Sequence, residues 1–414
     1  MNVDIARKID YWFGVILCFL LSVVNCIVKA IRFKKKETGS AKKILFVKLS
    51  EMGAIILAYP LLAKIKKEYP CAELFFVTFN KNRDVFKLLG GIIPKNNVLG
   101  IREDPLAFIL DTLQAIKRLR REKIDIVFDL EFFSRFSVVF TYLTGARKRI
   151  GFYHYTFEGL YRGNLLTHRI QYNPLNHITK NYLSFSQVIK QIEKSAPQFE
   201  EKMNESDIIF PKYASDNKTR MRLLEKLRNL GVDIDKKRLF LINPGEGILP
   251  LREWPLDNFI SLSRRIIENE NNHVILIGIE GAVKKGDLIL KTIVNPRCVS
   301  LISQTELDEL LELFTIADAL ISNDCGLVHL AMLSPIRKFI IFGPESPQIF
   351  SPLGDNNWIA YSHWPCSPCL SVFNHRNSSC SDNRCLKGIG PEYIYEQIIE
   401  SDKQNARPSV NSQK

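Results

Sequence analysis

The residues best suited to chemistry lie between Ala319 and Gly354. An apolar run, Ala319-Leu320-Ile321, is broken by Ser322-Asn323-Asp324-Cys325-Gly326. Helical spacing returns over Leu327 to Leu333, and Lys338 to Phe342 is a second apolar run. Strand, polar turn, helix and strand make one βα unit of a parallel sheet. Ligands on such sheets sit beyond the C-terminal strand ends, where backbone N–H groups at a helix start point outward. Asn323 and Asp324 are good helix N-cap residues. Gly326 lets a ligand come close to the backbone, and His329 lies early in the helix near the same turn. Spacing alone fits ordinary capping equally well, because short turn motifs are weak signals.

A second polar turn, Pro244-Gly245-Glu246-Gly247, follows the apolar strand Leu239 to Asn243. Such a loop can approach a diphosphate closely, although a lone Gly-x-Gly carries little weight. Arg252-Glu253-Trp254-Pro255 comes next, and Glu280 follows the strand Val274 to Gly278. A strand-end acid can hold ribose hydroxyls.

Ser322 to Ala331, with Phe342-Gly343-Pro344 downstream, resembles the donor-site signature of the family nine glycosyltransferases, the bacterial lipopolysaccharide heptosyltransferases and their relatives. That signature reads Ser/Asp-Asn-Asp-Ser/Thr-Gly-x-x-His-Leu-Ala, and Cys325 replaces its small hydroxyl residue. Arg252 stands where the family has a lysine that neutralises the donor diphosphate; a guanidinium offers a fork of donors for the same task. Near the N-terminus, Lys48, Ser50, Gly53, Pro60, Tyr69, Pro70 and Ala72 match the family's opening motif, and Arg149 and Gly151 match a later one. The resemblance implies an α/β fold of the GT-B type, two Rossmann-like domains facing across a cleft. It implies an inverting transfer of a heptose or related sugar from a nucleotide-diphosphate sugar, with no metal ion required. The donor would meet Gly245, Gly247, Arg252, Glu280, Asn323, Asp324, Cys325, Gly326 and His329. A lipopolysaccharide-core or lipid-linked acceptor would meet Ser50 and Arg135.

One departure bears on the reaction itself. The family's aspartate after the glycine, its catalytic base, is Ala54 here, and alanine cannot take a proton. Glu51 lies three residues earlier on the same turn, and its carboxylate could reach the same space. It serves equally well as a first-turn helix acid favoured by the dipole. Glu131 is a further candidate base. The alternative from another class is a non-catalytic GT-B protein that binds nucleotide sugar or glycan without transferring it.

The alternation of apolar runs and amphipathic stretches supplies the elements that hold these residues. Residues 41–205 form the N-terminal Rossmann-like domain, starting with the strand Lys43 to Lys48 and a helix over Ile55 to Tyr69. Residues 206–390 form the nucleotide-sugar domain, 391–403 a last helix that packs back towards the N-terminal domain, and 404–414 a disordered tail. Tyr153 to Asn176 lacks periodicity and reads as a mobile acceptor loop.

Residues 1–40 form a membrane anchor and basic linker. Tyr11 to Ile31 is apolar except for Ser22, Asn25 and Lys29, close to the minimum for a membrane crossing at about 1.5 Å per residue. Arg32, Lys34, Lys35 and Lys36 follow, which favours a cytoplasmic location for everything downstream. Both a spanning helix and a helix lying in the cytoplasmic face fit. The net charge of +13 among 414 residues calls for an anionic partner, and an anionic membrane surface answers it. No zinc-finger, RNP or recognition-helix pattern supports nucleic acid.

Four of the nine cysteines, Cys366, Cys369, Cys380 and Cys385, cluster near the C-terminus. A structural zinc is one reading of this group. Disulfides and free thiols are the others, and a cytoplasmic location argues against disulfides.

Overall fold

The structure, a computed structural model, describes residues 3–31, 41–153, 161–189, 191, 202–234, 237–245, 250–374 and 376–406. The chain divides into two units. The first is Met1–Pro211 with Val372–Arg376, and the second is Lys212–Ser371 with Asn377–Lys414.

The first unit is built on six parallel strands. They are β1 (Lys43–Val47), β2 (Glu73–Phe79), β3 (Val98–Ile101), β4 (Ile126–Asp129), β5 (Lys148–Tyr153) and β6 (His168–Gln171), in the order β3-β2-β1-β4-β5-β6. The inner strands are continuous apolar runs because helices cover both faces of a parallel sheet. Phe46 on β1 pairs with Phe76 on β2 and Phe128 on β4, and its ring lies 6.2 and 5.1 Å from theirs. Five helices matter below: α1 (Val3–Ile31), α2 (Met52–Leu57), α3 (Tyr59–Glu68), α4 (Pro105–Glu122) and α5 (Arg135–Leu143). The single helix expected over Ile55 to Tyr69 is two, broken at Ala58. Pro60 explains the break: it lacks an N–H and is tolerated only in a first helical turn. The segment expected to be a mobile loop contains β6, and Arg162 within it is fully buried. Residues 154–160 of that loop lie outside the described residues.

The second unit repeats the plan. Its strands are β7 (Arg238–Asn243), β8 (Asn272–Leu276), β9 (Cys298–Ser300), β10 (Ala319–Asn323), β11 (Arg337–Phe342) and β12 (Asn357–Tyr361), all parallel, in the order β12-β11-β10-β7-β8-β9. Leu256–Ile267 buries Phe259, Leu262 and Ile266 in the core of this sheet. The last helix runs further than expected, Pro391–Ala406, and packs within this unit. Ile394 and Ile398 enter the same core, and Asp402 pairs with Arg238 at 2.8 Å and Arg337 at 2.6 Å. The expected tail is therefore helical as far as Ala406; residues 407–414 lie outside the described residues.

Candidate active site

In each sheet the chain starts on a central strand, steps outward, and returns to that strand's other side. The crevice between the two central strands is where such folds hold ligands. In the second unit these strands are β7 and β10, and both end on asparagine. The Asn243 amide donates to Ser322 Oγ at 3.0 Å and Cys325 Sγ at 3.3 Å, while its carbonyl oxygen accepts from the Gly245 N–H at 3.2 Å. The loops after β7 and β8 close tightly over it. A Cβ on Gly245 would lie 3.3 Å from Asn243 Oδ1, and one on Gly278 3.1 Å from the same atom. Asn323 ties the other side: its Oδ1 accepts from the Trp254 N–H at 2.9 Å and its Nδ2 donates to the Gly245 carbonyl at 3.0 Å. These bonds carry the turn Pro250–Arg252 to the crevice, where the Arg252 guanidinium donates to Asp324 Oδ2 at 3.2 Å. Both residues of that pair are buried. Trp254 is fully buried with its indole N–H on the Ile389 carbonyl, so it packs and positions Arg252.

Gly245, Arg252, Asn323 and Asp324 are thus brought together. Glu280 is exposed at the start of a turn whose buried Ala282 abuts Gly245. Gly326 opens the next helix, and His329 is buried one turn along it. Three expectations change. Asp324 does not cap that helix; the cap position is Cys325, with no side-chain bond, and the Asp324 carboxylate is drawn to Arg252. The helix is also short, Gly326–Leu330, continuing as a tighter turn over Ala331–Leu333. Cys325 is turned inward, accepting from Asn243, and burial pushes its thiol pKa up. Its contacts are with Asn243 and Ser322 inside the protein. Gly247 lies outside the described residues.

In the first unit the central strands are β1 and β4. Glu131, beyond β4, reaches over to the loop beyond β1. Its carboxylate accepts from Lys48 Nζ at 2.9 Å, the Leu49 N–H at 2.6 Å and the Ser50 N–H at 3.2 Å. With three donors on its two oxygens inside a buried pair, Glu131 holds the loop in place. The loop presents Glu51 immediately afterwards. Glu51 has φ 64° and ψ 107°, a strained backbone for a residue with a side chain. It precedes α2 without a capping bond, so the role of first-turn acid does not describe it. Its carboxylate accepts from Arg376 Nη1 at 2.6 Å. Strained non-glycine residues cluster at functional sites, where the surroundings hold them in place. The Tyr182 hydroxyl is buried with no hydrogen-bond partner; burial, then the charges of Glu131 and Glu51, push its pKa up.

Arg135 is placed elsewhere. It is buried, donates from Nε to the Tyr161 carbonyl at 2.8 Å, and lies 5.4 Å from the centre of the Tyr11 ring in α1. It docks α1 and does not reach for an acceptor. Sequence reasoning missed Asn243 and Arg376. Asn243 had a signal, a lone amide ending the run Leu-Phe-Leu-Ile. Arg376 had none, since it lies in an irregular segment that joins the first unit only through folding.

The four C-terminal cysteines line one cavity of about 260 Å³ with Ser378 and Asn383. All are free thiols, and no group of three or more His, Cys, Asp or Glu among the described residues is arranged to hold a metal ion. Burial, with Cys369 and Cys380 nearby, pushes the Cys385 thiol up to about 11.

A family model described as glycosyltransferase family 9 (heptosyltransferase) matches residues 112–377. Lipopolysaccharide heptosyltransferase 2 of Salmonella typhimurium is 29% identical over 113 residues, 27% of this chain and 32% of that protein. That match therefore spans about a third of the relative's length. Lipooligosaccharide heptosyltransferase 2 of Haemophilus ducreyi is 23% identical over 75% of this chain and 86% of its own. Among solved structures, E. coli ADP-heptose lipopolysaccharide heptosyltransferase II aligns with TM-score 0.65 at 18% identity, covering 88% of this chain and all of that one. E. coli heptosyltransferase WaaC, solved with ADP-2-deoxy-2-fluoro heptose, aligns with TM-score 0.59 at 13% identity, covering 87% and 99%. These likenesses establish the fold as GT-B.

Proposed function

The chain belongs to glycosyltransferase family 9, and we propose from that premise that it is an inverting transferase moving a heptose or related sugar from a nucleotide-diphosphate sugar to a lipopolysaccharide-core or lipid-linked acceptor. The work would take place at the cytoplasmic membrane face. The observation that carries this reading is the buried Arg252–Asp324 pair at the crevice between β7 and β10, framed by Gly245 and Asn323. A guanidinium fixed there is a preorganised counter-charge for a departing diphosphate. Asp324 aims it, Gly245 lets phosphate approach the backbone, and Glu280 is suited to ribose hydroxyls. Solved relatives carry ADP or an ADP-sugar, so ADP-heptose is the first donor to try.

In the step itself an acceptor hydroxyl oxygen attacks the anomeric carbon. Its proton passes to the Glu51 carboxylate, and the bond from the anomeric carbon to the diphosphate oxygen breaks on the opposite face, inverting that centre. The diphosphate leaves with the electron pair towards Arg252. Catalysis on this route uses side chains alone, with Ser50 beside Glu51 on the acceptor side.

Thermal shifts with ADP, GDP, UDP, CMP and their common sugars test the donor half. One nucleotide should stabilise the parent and leave Arg252→Ala unmoved from its own baseline. No shift with any nucleotide at millimolar concentration would remove the transferase reading. Ala54 favours a second reading, a binding protein without turnover; a donor that binds but is never consumed with any heptosyltransferase acceptor would select it.

A further inference from the structure

Arg7–Ile31 is long and apolar enough to cross a bilayer. Its packing speaks for a different arrangement. Asp10 accepts from the Phe136 N–H at 2.6 Å and the Arg135 N–H at 3.1 Å, capping the start of α5. Ser22 accepts from the Asn164 N–H at 2.9 Å, and the Asn25 amide donates to the Asn164 carbonyl at 3.0 Å. Between them Cys18 is fully buried, and a Cβ on Gly14 would lie 2.7 Å from Arg135 Cβ. These attachments run from Asp10 to Asn25, about 22 Å of helix at 1.5 Å per residue. At about 100° per residue they fill one arc of about 120°. Trp12, Phe13, Ile16, Phe19, Val23 and Ile27 fill the opposite arc, and all are 46–71% exposed.

A spanning helix with these bonds would draw the backbone of α5 and of Asn164 into hydrocarbon, where polar groups are costly. A second helix shows the same exposure. Leu106, Ile109, Leu110 and Leu113 of α4 stand at i, i+3, i+4 and i+7, each 56–75% exposed. Lys117, Arg118, Arg120 and Arg121 follow on the same helix and are exposed. The two helices flank α5. Phe108 of α4 lies 4.9 Å from Phe136 of α5, whose N–H is the one Asp10 accepts. Sixteen of the twenty-five exposed large apolar side chains among the described residues belong to α1 and α4, so the exposure is concentrated on one side of one sheet.

We propose that α1 lies in the plane of the membrane, and that the apolar stripe of α4 enters the same anionic leaflet beside it, forming a two-helix monotopic anchor. Apolar side chains would sit in the acyl boundary, Trp12 at the headgroup level, and Lys117 to Arg121 on anionic headgroups. The inference is independent of the reaction assigned above.

The test uses the full chain. Sedimentation with vesicles of phosphatidylcholine alone, or of equal parts phosphatidylcholine and phosphatidylglycerol, reads binding. Leu106→Glu/Leu110→Glu should weaken binding to the anionic vesicles by about tenfold or more, two apolar contacts being lost, and Lys117→Gln/Arg121→Gln should reduce the preference for them. The substituted positions are solvent-exposed, so unchanged melting temperatures confirm folding. Binding unaffected by the leucine substitutions overturns the role of α4. In spheroplasts, an epitope at Met1 should resist external protease. Cleavage of that epitope would mean a spanning helix and overturn the in-plane arrangement.

Discussion

Replacing Glu51 and Glu131, one at a time, by glutamine separates the proposed base from the residue that holds its loop. The Glu51 side chain is 27% exposed and its partner Arg376 14% exposed, a mostly buried ion pair. Glutamine keeps the shape and an oxygen for Arg376 but loses the charge, a cost of about 1–2 kcal/mol, so Glu51→Gln should melt roughly 2–8 °C below the parent. Its kcat should fall by about 10²–10⁴, the range for losing a general base. Glu131→Gln is the converse. Lys48 is 2% exposed and would keep a buried charge with a neutral partner, which costs about 3–5 kcal/mol. At about 2–4 °C per kcal/mol for a unit of this size, the melting temperature should fall by roughly 6–20 °C. A third variant sharpens the contrast. Glu51→Gly relieves a positive φ that costs about 1–3 kcal/mol, so it should be as stable as the parent or about 1 kcal/mol more so, and inactive. The assays are calorimetry and sugar transfer from the donor the thermal shifts identify. A stable but inactive Glu131→Gln, with Glu51→Gln within threefold of parental kcat, would reverse the two assignments.

Three further outcomes follow from the second unit. Lys338 is buried on β11, and burial lowers its pKa from 10.5 to about 8. Below pH 8 the folded chain carries a buried charge, a penalty of about 3 kcal/mol at 1.36 kcal/mol per unit. Between pH 8 and 10.5 the unfolded chain binds more protons than the folded one, so this penalty fades as pH rises. Lys338→Met should therefore raise stability at pH 7 by about 3 kcal/mol and by little at pH 10.5, in denaturant titrations at both values. Arg252→Lys should keep the charge facing Asp324 but lose the fork of donors; nucleotide affinity should drop by about tenfold, measured by calorimetric titration, with folding intact. Within the C-terminal cluster, thiol titration of the native protein should modify the exposed Cys366 and Cys380 before Cys385, because burial holds the Cys385 thiol protonated. Protection of the whole cluster until a chelator is added would show a structural metal instead.

Both sheets were legible in the sequence because their inner strands are uninterrupted apolar runs bounded by polar turns, a local signal. Arg252 and Asn323 were legible through motif spacing, and the structure joins their turns through Trp254 and Gly245. What escaped were residues whose roles depend on a distant partner. Arg135 is an arginine at a helix start, and nothing in its neighbourhood says that Asp10, 125 positions away, takes its N–H. Asp324 looks like a helix cap until Arg252 is seen within hydrogen-bond reach, 72 positions away.

The same limit bears on the missing aspartate. Alanine at position 54 lies on α2, where the family places its base, while Glu51 precedes the helix on a backbone held in an unfavourable region. The loop is clamped from one side by Glu131 through the Leu49 and Ser50 N–H groups, and Arg376 meets the Glu51 carboxylate itself. Glycine there would relieve the strain and keep the Glu131 clamp, but it would leave the mostly buried Arg376 without this carboxylate. A carboxylate held in that conformation, ahead of a helix it does not cap, is what the base proposed at Glu51 requires.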